Sequence, residues 1–188
     1  MTIIVTGSQR GGTTAVAGAV RCLGIEFPNS DNSHENVDLF SALIDEDWQK
    51  LQSLIASYSN EHDQWGWKYP SITRFPKKAE VGLAMFPNLK IIHVWRDVYS
   101  VATHRLKHMP DSTVEAQLKR LHAELGNQLE TIDLCKDKHS ILHVSYEKLI
   151  TYPNEQIERI QKYIGTKNTN IAKAVNYIKP GKYQSWPP

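Results

Sequence analysis

A short apolar run, a glycine-rich loop and a helical pattern follow one another at the start of the chain. Residues 3–5 are Ile-Ile-Val and predict a strand, and Val16, Val20 and Leu23 repeat at helical spacing. The loop between them, residues 7–14, is Gly-Ser-Gln-Arg-Gly-Gly-Thr-Thr. A strand, a glycine loop and a helix in this order aim backbone N–H groups and the positive helix end at an anion. The start of the chain therefore predicts a phosphate-binding loop.

The loop departs at one position from the nucleotide-binding pattern G-x-x-x-x-G-K-[ST]. Gly7 and Gly12 occupy the two glycine positions and Thr14 supplies the final hydroxyl, but Thr13 stands where the pattern has lysine. That lysine normally contacts the β- and γ-phosphates of a nucleoside triphosphate. The loop therefore predicts a phosphate ligand other than ATP or GTP.

Length and composition limit the other classes of protein. The chain has 188 residues and is 40% apolar, which predicts one globular domain over residues 1–188. The formal net charge is only +2, so charge gives no argument for a nucleic-acid partner. No run approaches ~20 apolar residues and no basic leader is present, so we expect neither a membrane partner nor a signal peptide. Cys22 and Cys135 lack metal-ligand spacing, and we expect both to be buried in a cytoplasmic protein.

The rest of the sequence alternates predicted strands with predicted helices. Further strands are predicted at residues 65–70, 89–95 and 140–144. Helices are predicted at residues 37–55 with a break near Asp45, 75–86, 98–107 and 112–134, then two shorter ones of which one ends at Gly165, before an irregular tail at 179–188. Ser112-x-x-Glu115 has the form of a capping box. The apolar stripe of the long helix indicates core packing, although it would also allow a homodimer surface.

Strands separated by helices predict an α/β fold with a central parallel sheet and helices on both faces. Ligands of such sheets bind beyond the carboxyl ends of the strands. The loop at 7–14, Lys68 and Arg96 each lie at the end of a predicted strand. We therefore expect all three along one rim of the sheet.

Five segments match one family pattern in order and spacing. They are residues 6–14 (TGSQRGGTT), 32–36 (NSHEN), 67–70 (WKYP), 94–104 (VWRDVYSVATH) and 144–149 (VSYEKL). Together they resemble the sulfotransferase family, enzymes that use 3′-phosphoadenosine-5′-phosphosulfate (PAPS) as sulfonate donor. The resemblance covers residue 3 to about residue 165 and implies a three-layer P-loop-type fold.

The resemblance implies that the loop binds the 5′-phosphosulfate of PAPS. Gly11, Gly12, Thr13 and Thr14 match the family's phosphate-binding positions, and Arg10 matches a cation that faces the sulfonate bridge.

The segment 94–104 is similar to the family's 3′-phosphate motif. Arg96 matches its arginine. His104 stands where the family has a serine, and either His104 or the adjacent Thr103 would donate to the 3′-phosphate. Asp97 could instead mark only the capped start of the next helix.

The two remaining site segments supply the implied catalytic groups. Lys68 matches a lysine near the transferring sulfonate, and Glu35 or His34 lies where the family carries an acidic catalytic residue. Sulfonyl transfer needs stabilisation of charge at the bridging oxygen, here from Arg10 and Lys68, and a base for the acceptor. This scheme requires no metal.

The acceptor is not fixed by the sequence. The resemblance allows a hydroxyl or amine on a glycan, a peptide or a small molecule, and residues 29–36 and 107–112 are positioned to line its pocket. Two other functions fit part of the pattern. A small-molecule kinase would use Mg·ATP, with Thr14 holding Mg²⁺ and Asp97 beside it, and a non-catalytic nucleotide-binding module would bind the nucleotide without transfer.

Overall fold

A computed structural model describes residues 1–109, 111–166 and 170–178. Its strands are β1 (Thr2–Gly7), β2 (Trp65–Lys68), β3 (Leu89–Trp95) and β4 (Ser140–Ser145). Its helices are α1 (Thr13–Cys22), α2 (Val37–Ile44), α3 (Trp48–Glu61), α4 (Pro76–Leu83), α5 (Val98–Leu106), α6 (Val114–Cys135), α7 (Tyr146–Thr151), α8 (Pro153–Ile164) and α9 (Ile171–Tyr177), with a 3₁₀ helix at Pro70–Arg74. The predicted tail, 179–188, lies outside the described residues.

The four strands form one parallel sheet in the order β2-β1-β3-β4. The strand that precedes the glycine loop is therefore interior, with Val5 paired to Lys68 on one side and Gly7 paired to Val94 on the other. Because all strands run the same way, the loop, Lys68 and the Arg96 segment leave the sheet at the same edge. The predicted common rim is confirmed.

Side chains of β1 alternate between two apolar cores, one on each face of the sheet. Ile3 and Val5 pack with α1, α8 and α9, whereas Ile4 packs with α2, α3 and α4. This alternation follows from the two-residue period of a strand. The three-layer α/β arrangement with helices on both faces is thereby confirmed.

The predicted start of the long helix is wrong by one residue. Thr113, not Ser112, is the N-cap, since its backbone is extended and its Oγ1 accepts a hydrogen bond from the Ala116 N–H at 3.2 Å. The Ser112 hydroxyl is used elsewhere, as it accepts from Gln117 Nε2 at 2.9 Å. The predicted capping box is therefore not formed.

Several other sequence expectations can be compared with the structure. The break near Asp45 is confirmed, since α2 ends at Ile44 and α3 starts at Trp48. Gly165 closes α8 in the left-handed conformation, and Cys22 and Cys135 are both buried and free. After β4 the described residues form three helices, α7, α8 and α9, where two were predicted. Helix α6 packs against α4 and α5, but apart from Leu121 and Cys135 its buried residues are polar. Core packing therefore uses only part of the predicted apolar stripe, and a homodimer stays a prediction.

Candidate functional site

The glycine loop turns tightly from β1 into α1. The Gly11 N–H donates to the Ser8 carbonyl oxygen at 2.9 Å, and Gly12 is the N-cap of α1 with a φ of 92°. Gly12 has no side chain that could accept hydrogen bonds from the first N–H groups of α1, and the first turn of α1 contains no acidic residue. Since those N–H groups have no partner within a helix, the loop presents donors and a positive helix end to an anion.

Gly12 is also required by its close contact with Tyr146 at the start of α7. A Cβ at Gly12 would overlap the Tyr146 ring. The guanidinium of Arg96 also packs on the Tyr146 ring, with its Cζ 4.6 Å from the ring centroid. Arg96 Nη1 donates to the Arg10 carbonyl oxygen at 2.8 Å, so the Arg96 side chain stabilises the backbone of the loop.

A buried hydrogen-bond relay fixes the first turn of the loop. Gln128 of α6 donates from Nε2 to Ser8 Oγ at 2.8 Å, and its Oε1 lies 3.0 Å from His93 Nε2 on β3. Burial lowers the pKa of His93 to about 4, so the ring is neutral near pH 7. No sequence signal identified this relay, because its members are far apart in the chain and none lies in a recognisable motif.

Lys68 brings a cation to the loop that itself lacks the expected lysine. Its side chain is only 2% exposed, and its Nζ lies 2.8 Å from Glu35 Oε1 and 3.0 Å from Thr14 Oγ1. Burial lowers the pKa of Lys68, while the Glu35 carboxylate opposes that change by its charge and its hydrogen bond. The predicted residues Lys68, Glu35 and Thr14 therefore meet at one point.

The segment that carries Glu35 is held by an aspartate turn and by β2. Asp31 Oδ1 accepts from the backbone N–H groups of Ser33 and Glu35 at 2.8 and 2.9 Å. The Lys68 N–H then donates to the His34 carbonyl oxygen at 3.1 Å, which adds the segment to the sheet edge. Glu35 therefore reaches Lys68 through backbone pairing, and its side chain stays 27% exposed.

His34 faces away from the rim and is fully buried. Its Nδ1 lies 3.3 Å from Arg21 Nη1 and its Nε2 lies 3.3 Å from the Tyr177 hydroxyl. Burial, together with the charges of Arg21 and Lys68, lowers the pKa of His34 to about 3. A ring enclosed by α1 and α9 has no path to an acceptor, so this geometry favours Glu35 over His34 as the base.

Positive charge surrounds the loop on the α5 side. Partial burial lowers the pKa of His104, and the charges of Arg96, Lys107 and Arg10 lower it further. The Thr103 hydroxyl donates within its own helix, to the carbonyl oxygens of Tyr99 and Ser100. His104 is therefore the better placed of the two candidates to face an anion.

Asp97 caps α5, as its sequence position allowed. Its Oδ1 accepts from the Ser100 N–H at 2.8 Å. Within the described ranges, no group of three or more His, Cys, Asp or Glu side chains is arranged to hold a metal ion. In the same part of the chain, no helix is long and apolar enough to cross a membrane.

A cavity of about 510 Å³ opens beside the loop, between the tip of the loop and helices α5 and α6. His108 and Met109 line it, so one of the two segments expected near the acceptor borders this cavity, whereas none of residues 29–36 lines it. Arg105 and Arg74 reach the same cavity and share the Glu124 carboxylate at 2.7 and 2.8 Å. Sequence analysis did not identify these ion pairs, since no spacing rule links the three residues.

Several solved sulfotransferase structures are similar to this chain. The sulfotransferase domain of the Synechococcus olefin synthase has a TM-score of 0.65 at 14% identity, over 95% of this chain and 80% of that domain. A mouse sulfotransferase in complex with PAP (the sulfonate-free product of PAPS) has a TM-score of 0.59 at 14% identity, over 93% of this chain and 62% of that one. Retinol dehydratase with androsterone and PAP has a TM-score of 0.58 at 14% identity, over 95% of this chain and 64% of that one. At these identities the likeness shows the fold.

No curated protein sequence matches the chain significantly. The family model described as "Sulfotransferase family" matches residues 19–170, which is most of the chain. The match begins after the glycine loop, so it is independent of the loop pattern. The chain belongs to the sulfotransferase family.

Proposed function

We propose that this protein transfers the sulfonate group of PAPS to a hydroxyl or amine acceptor without a metal ion. One observation carries the proposal: the buried Lys68 ammonium lies within 3.0 Å of both the loop hydroxyl of Thr14 and the Glu35 carboxylate. A phosphate-binding loop, a cation and a candidate base therefore lie next to one another at the carboxyl edge of the sheet. This is the set of groups that sulfonyl transfer needs.

The residues present fit the two charged ends of PAPS. The N–H groups of Gly12, Thr13 and Thr14 and the helix end behind them suit the 5′-phosphosulfate. The Gly11 N–H is used inside the loop, where it donates to the Ser8 carbonyl oxygen. Arg96 and His104 suit the 3′-phosphate, with Thr103 as the weaker candidate because its hydroxyl donates within α5. When bound, PAPS supplies the sulfonate, and PAP leaves with the electron pair of the broken sulfur–oxygen bond.

Lys68 and Arg10 would stabilise the charge that grows on the bridging oxygen. Preorganised donors of this kind are worth about 2.7–4 kcal/mol of barrier each, because they need no reorganisation as the charge forms. Glu35 would take the acceptor proton, since its carboxylate is partly exposed at the rim. His34 is a buried structural residue in this proposal.

The kinase alternative is disfavoured by two contacts. The Thr14 hydroxyl, which would hold Mg²⁺, accepts from the Lys68 ammonium, so a second cation at that oxygen would meet like charge. The Asp97 carboxylate is occupied as the cap of α5. No comparable contact favours a non-catalytic module. The buried free thiols suit a reducing compartment, and a cytoplasmic location stays a prediction.

Calorimetric titration with PAP in EDTA, compared with Mg·ATP, tests the donor site. We expect metal-independent PAP binding that weakens at least about tenfold in Arg96→Ala, because a charge-assisted contact is lost. Arg159→Ala is the matched control, since Arg159 is an exposed arginine of α8. Binding of Mg·ATP alone would contradict the proposal, as would equal effects of the two variants. Transfer of ³⁵S from labelled PAPS to an acceptor distinguishes the enzyme from a binding module.

A further inference from the structure

The cavity beside the loop, called here the basic cavity, has an unusual excess of positive charge. Four arginines line it, Arg10, Arg74, Arg105 and Arg120, against one acid, Glu124. The formal surplus is four minus one, or three positive charges, before any charge on the histidine of its wall. A surplus of fixed guanidinium groups around a cleft concentrates anions there.

Two of these arginines are held rigidly by the one acid. Arg105 contacts both oxygens of Glu124 at 2.9 and 2.7 Å, and Arg74 contacts the same carboxylate at 2.8 Å. Arg74 keeps 37% of its side chain exposed. Among the described residues, Arg10 and Arg120 form no ion pair with an acid. The Glu124 carboxylate is therefore paired within the wall, and Arg10 and Arg120 remain available to an anionic ligand.

The basic cavity adjoins the glycine loop. Gln9 and Arg10 belong both to the glycine loop and to the cavity wall. The positive charge of Arg10 is the smallest of the causes that lower the pKa of Lys68, after burial. A molecule that fills the cavity would therefore lie next to the sulfonate that Arg10 is proposed to face.

The other wall residues indicate the chemistry of that molecule. Gln9, Gln117 and Asn127 each use one amide atom in a hydrogen bond within the protein and keep the other for a ligand. Met109 and Ala123 are the apolar residues of the wall. No Phe, Tyr or Trp from the described part of the chain lines the cavity. Its volume of about 510 Å³ is within the usual range for small-molecule sites. A phenol, a steroid or a tyrosyl ring would find no Phe, Tyr or Trp ring to pack against, whereas hydroxyl groups would find hydrogen-bond partners.

We infer that the basic cavity is the acceptor site and that the acceptor is a saccharide carrying a carboxylate or sulfate group. The guanidinium groups would bind the anionic substituent, and the amides would bind the sugar hydroxyls. The inference rests on the proposed sulfotransferase function and adds the class of acceptor. Arg120 is the residue that tests it, because it lies on α6, away from the loop and from Lys68.

Direct binding with the nucleotide site filled provides the test. Wild-type protein saturated with PAP is titrated with a hyaluronan tetrasaccharide, which carries two carboxylates, and with neutral chitotetraose of the same length. We expect the charged saccharide to bind at least about tenfold more tightly, and Arg120→Glu to remove that preference. Lys119→Glu is the matched control, since it makes the same charge change on an adjacent exposed residue that does not line the cavity. It should change the affinity at most about twofold.

The outcomes separate this inference from the proposed function. If PAP does not bind, both the proposed function and this inference are wrong. If PAP binds, equal affinity for the two saccharides, no saccharide binding, or equal losses in the two variants overturns the inference alone. Tighter binding of an acidic tyrosine peptide than of hyaluronan would show that the acceptor class is wrong. A PAP affinity that falls about tenfold in Arg120→Glu, or displacement of the saccharide by PAP, would assign the cavity to the nucleotide instead.

Discussion

The ion pair between Lys68 and Glu35 should respond very differently to the loss of each partner. The Lys68 side chain is 2% exposed, whereas Glu35 is 27% exposed. Glu35→Gln leaves a buried ammonium without its opposite charge. Lys68→Met removes the buried charge itself, keeps a side chain of similar volume, and leaves a carboxylate that water reaches. The two variants delete the same interaction but leave different charges behind.

The magnitudes follow from that asymmetry. Removing one partner of a fully buried pair typically costs 3–5 kcal/mol, and replacing the buried charge by an apolar side chain is often neutral. Because the Thr14 hydroxyl and the new amide oxygen still accept from Lys68, we expect Glu35→Gln to cost about 2 kcal/mol. Lys68→Met should stay within about 1 kcal/mol of wild type. For a chain of this length, 2 kcal/mol corresponds to a Tm decrease of roughly 4–8 °C.

The loss of stability in Glu35→Gln relative to wild type should become smaller as the pH rises. The pKa of Lys68 in the folded protein lies below the ordinary value of 10.5, and Glu35 is what raises it toward that value. In Glu35→Gln the folded pKa is therefore lower still. Between the folded pKa and 10.5 the unfolded chain binds more protons than the folded one, so stability increases with pH. The deficit of Glu35→Gln should consequently be largest near pH 7 and smaller near pH 10.

Urea unfolding followed by circular dichroism at both pH values measures these effects, and ³⁵S transfer measures activity in parallel. Lys68→Met should slow transfer by about 10²–10³-fold through loss of a preorganised cation. Glu35→Gln should slow it by about 10²–10⁴-fold through loss of the base. Greater destabilisation by Lys68→Met than by Glu35→Gln would refute the reasoning from burial. Unchanged transfer in Lys68→Met would refute the catalytic role.

Two further substitutions test how the loop is held. Gly12→Ala should cost at least about 2 kcal/mol and abolish PAP binding, because the left-handed backbone penalises a Cβ and the added atom overlaps the Tyr146 ring. The control is Gly126→Ala, where a Cβ meets nothing within 4 Å and which should stabilise α6 by about 1 kcal/mol. Equal unfolding midpoints for the two variants would contradict this prediction. Gln128→Leu should cost about 1–3 kcal/mol in urea unfolding and weaken PAP binding, because it removes the hydrogen-bond partner of the buried His93 ring and of the half-buried Ser8 hydroxyl. Wild-type stability together with wild-type PAP affinity would show that the relay does not hold the loop.

Local patterns in the sequence were sufficient for the parts of the fold that depend on local rules. The strand–loop–helix at residues 2–22 and the end of α8 at Gly165 follow from apolar periodicity and glycine conformation. The start of α6 was predicted one residue too early, at Ser112, because Ser112 and Thr113 both carry a hydroxyl that can cap a helix. Only the side-chain partner of Ser112, the Gln117 amide, decided between them.

Tertiary structure decided which of the candidate residues can act together. Lys68 reaches Thr14 across 54 residues because β2 pairs with β1, and no periodicity in one segment specifies strand order. His34 and Glu35 are adjacent in sequence, yet a positive φ of 67° at His34 and the pairing of Glu35 with β2 send one side chain inward and the other to the rim. The arginines of the basic cavity come from separate elements. The sequence by itself determined most of the helices and strands and the strand ends that carry the candidate site residues. Long-range packing determined which of those residues are buried, which charges pair and which side chains a ligand can reach.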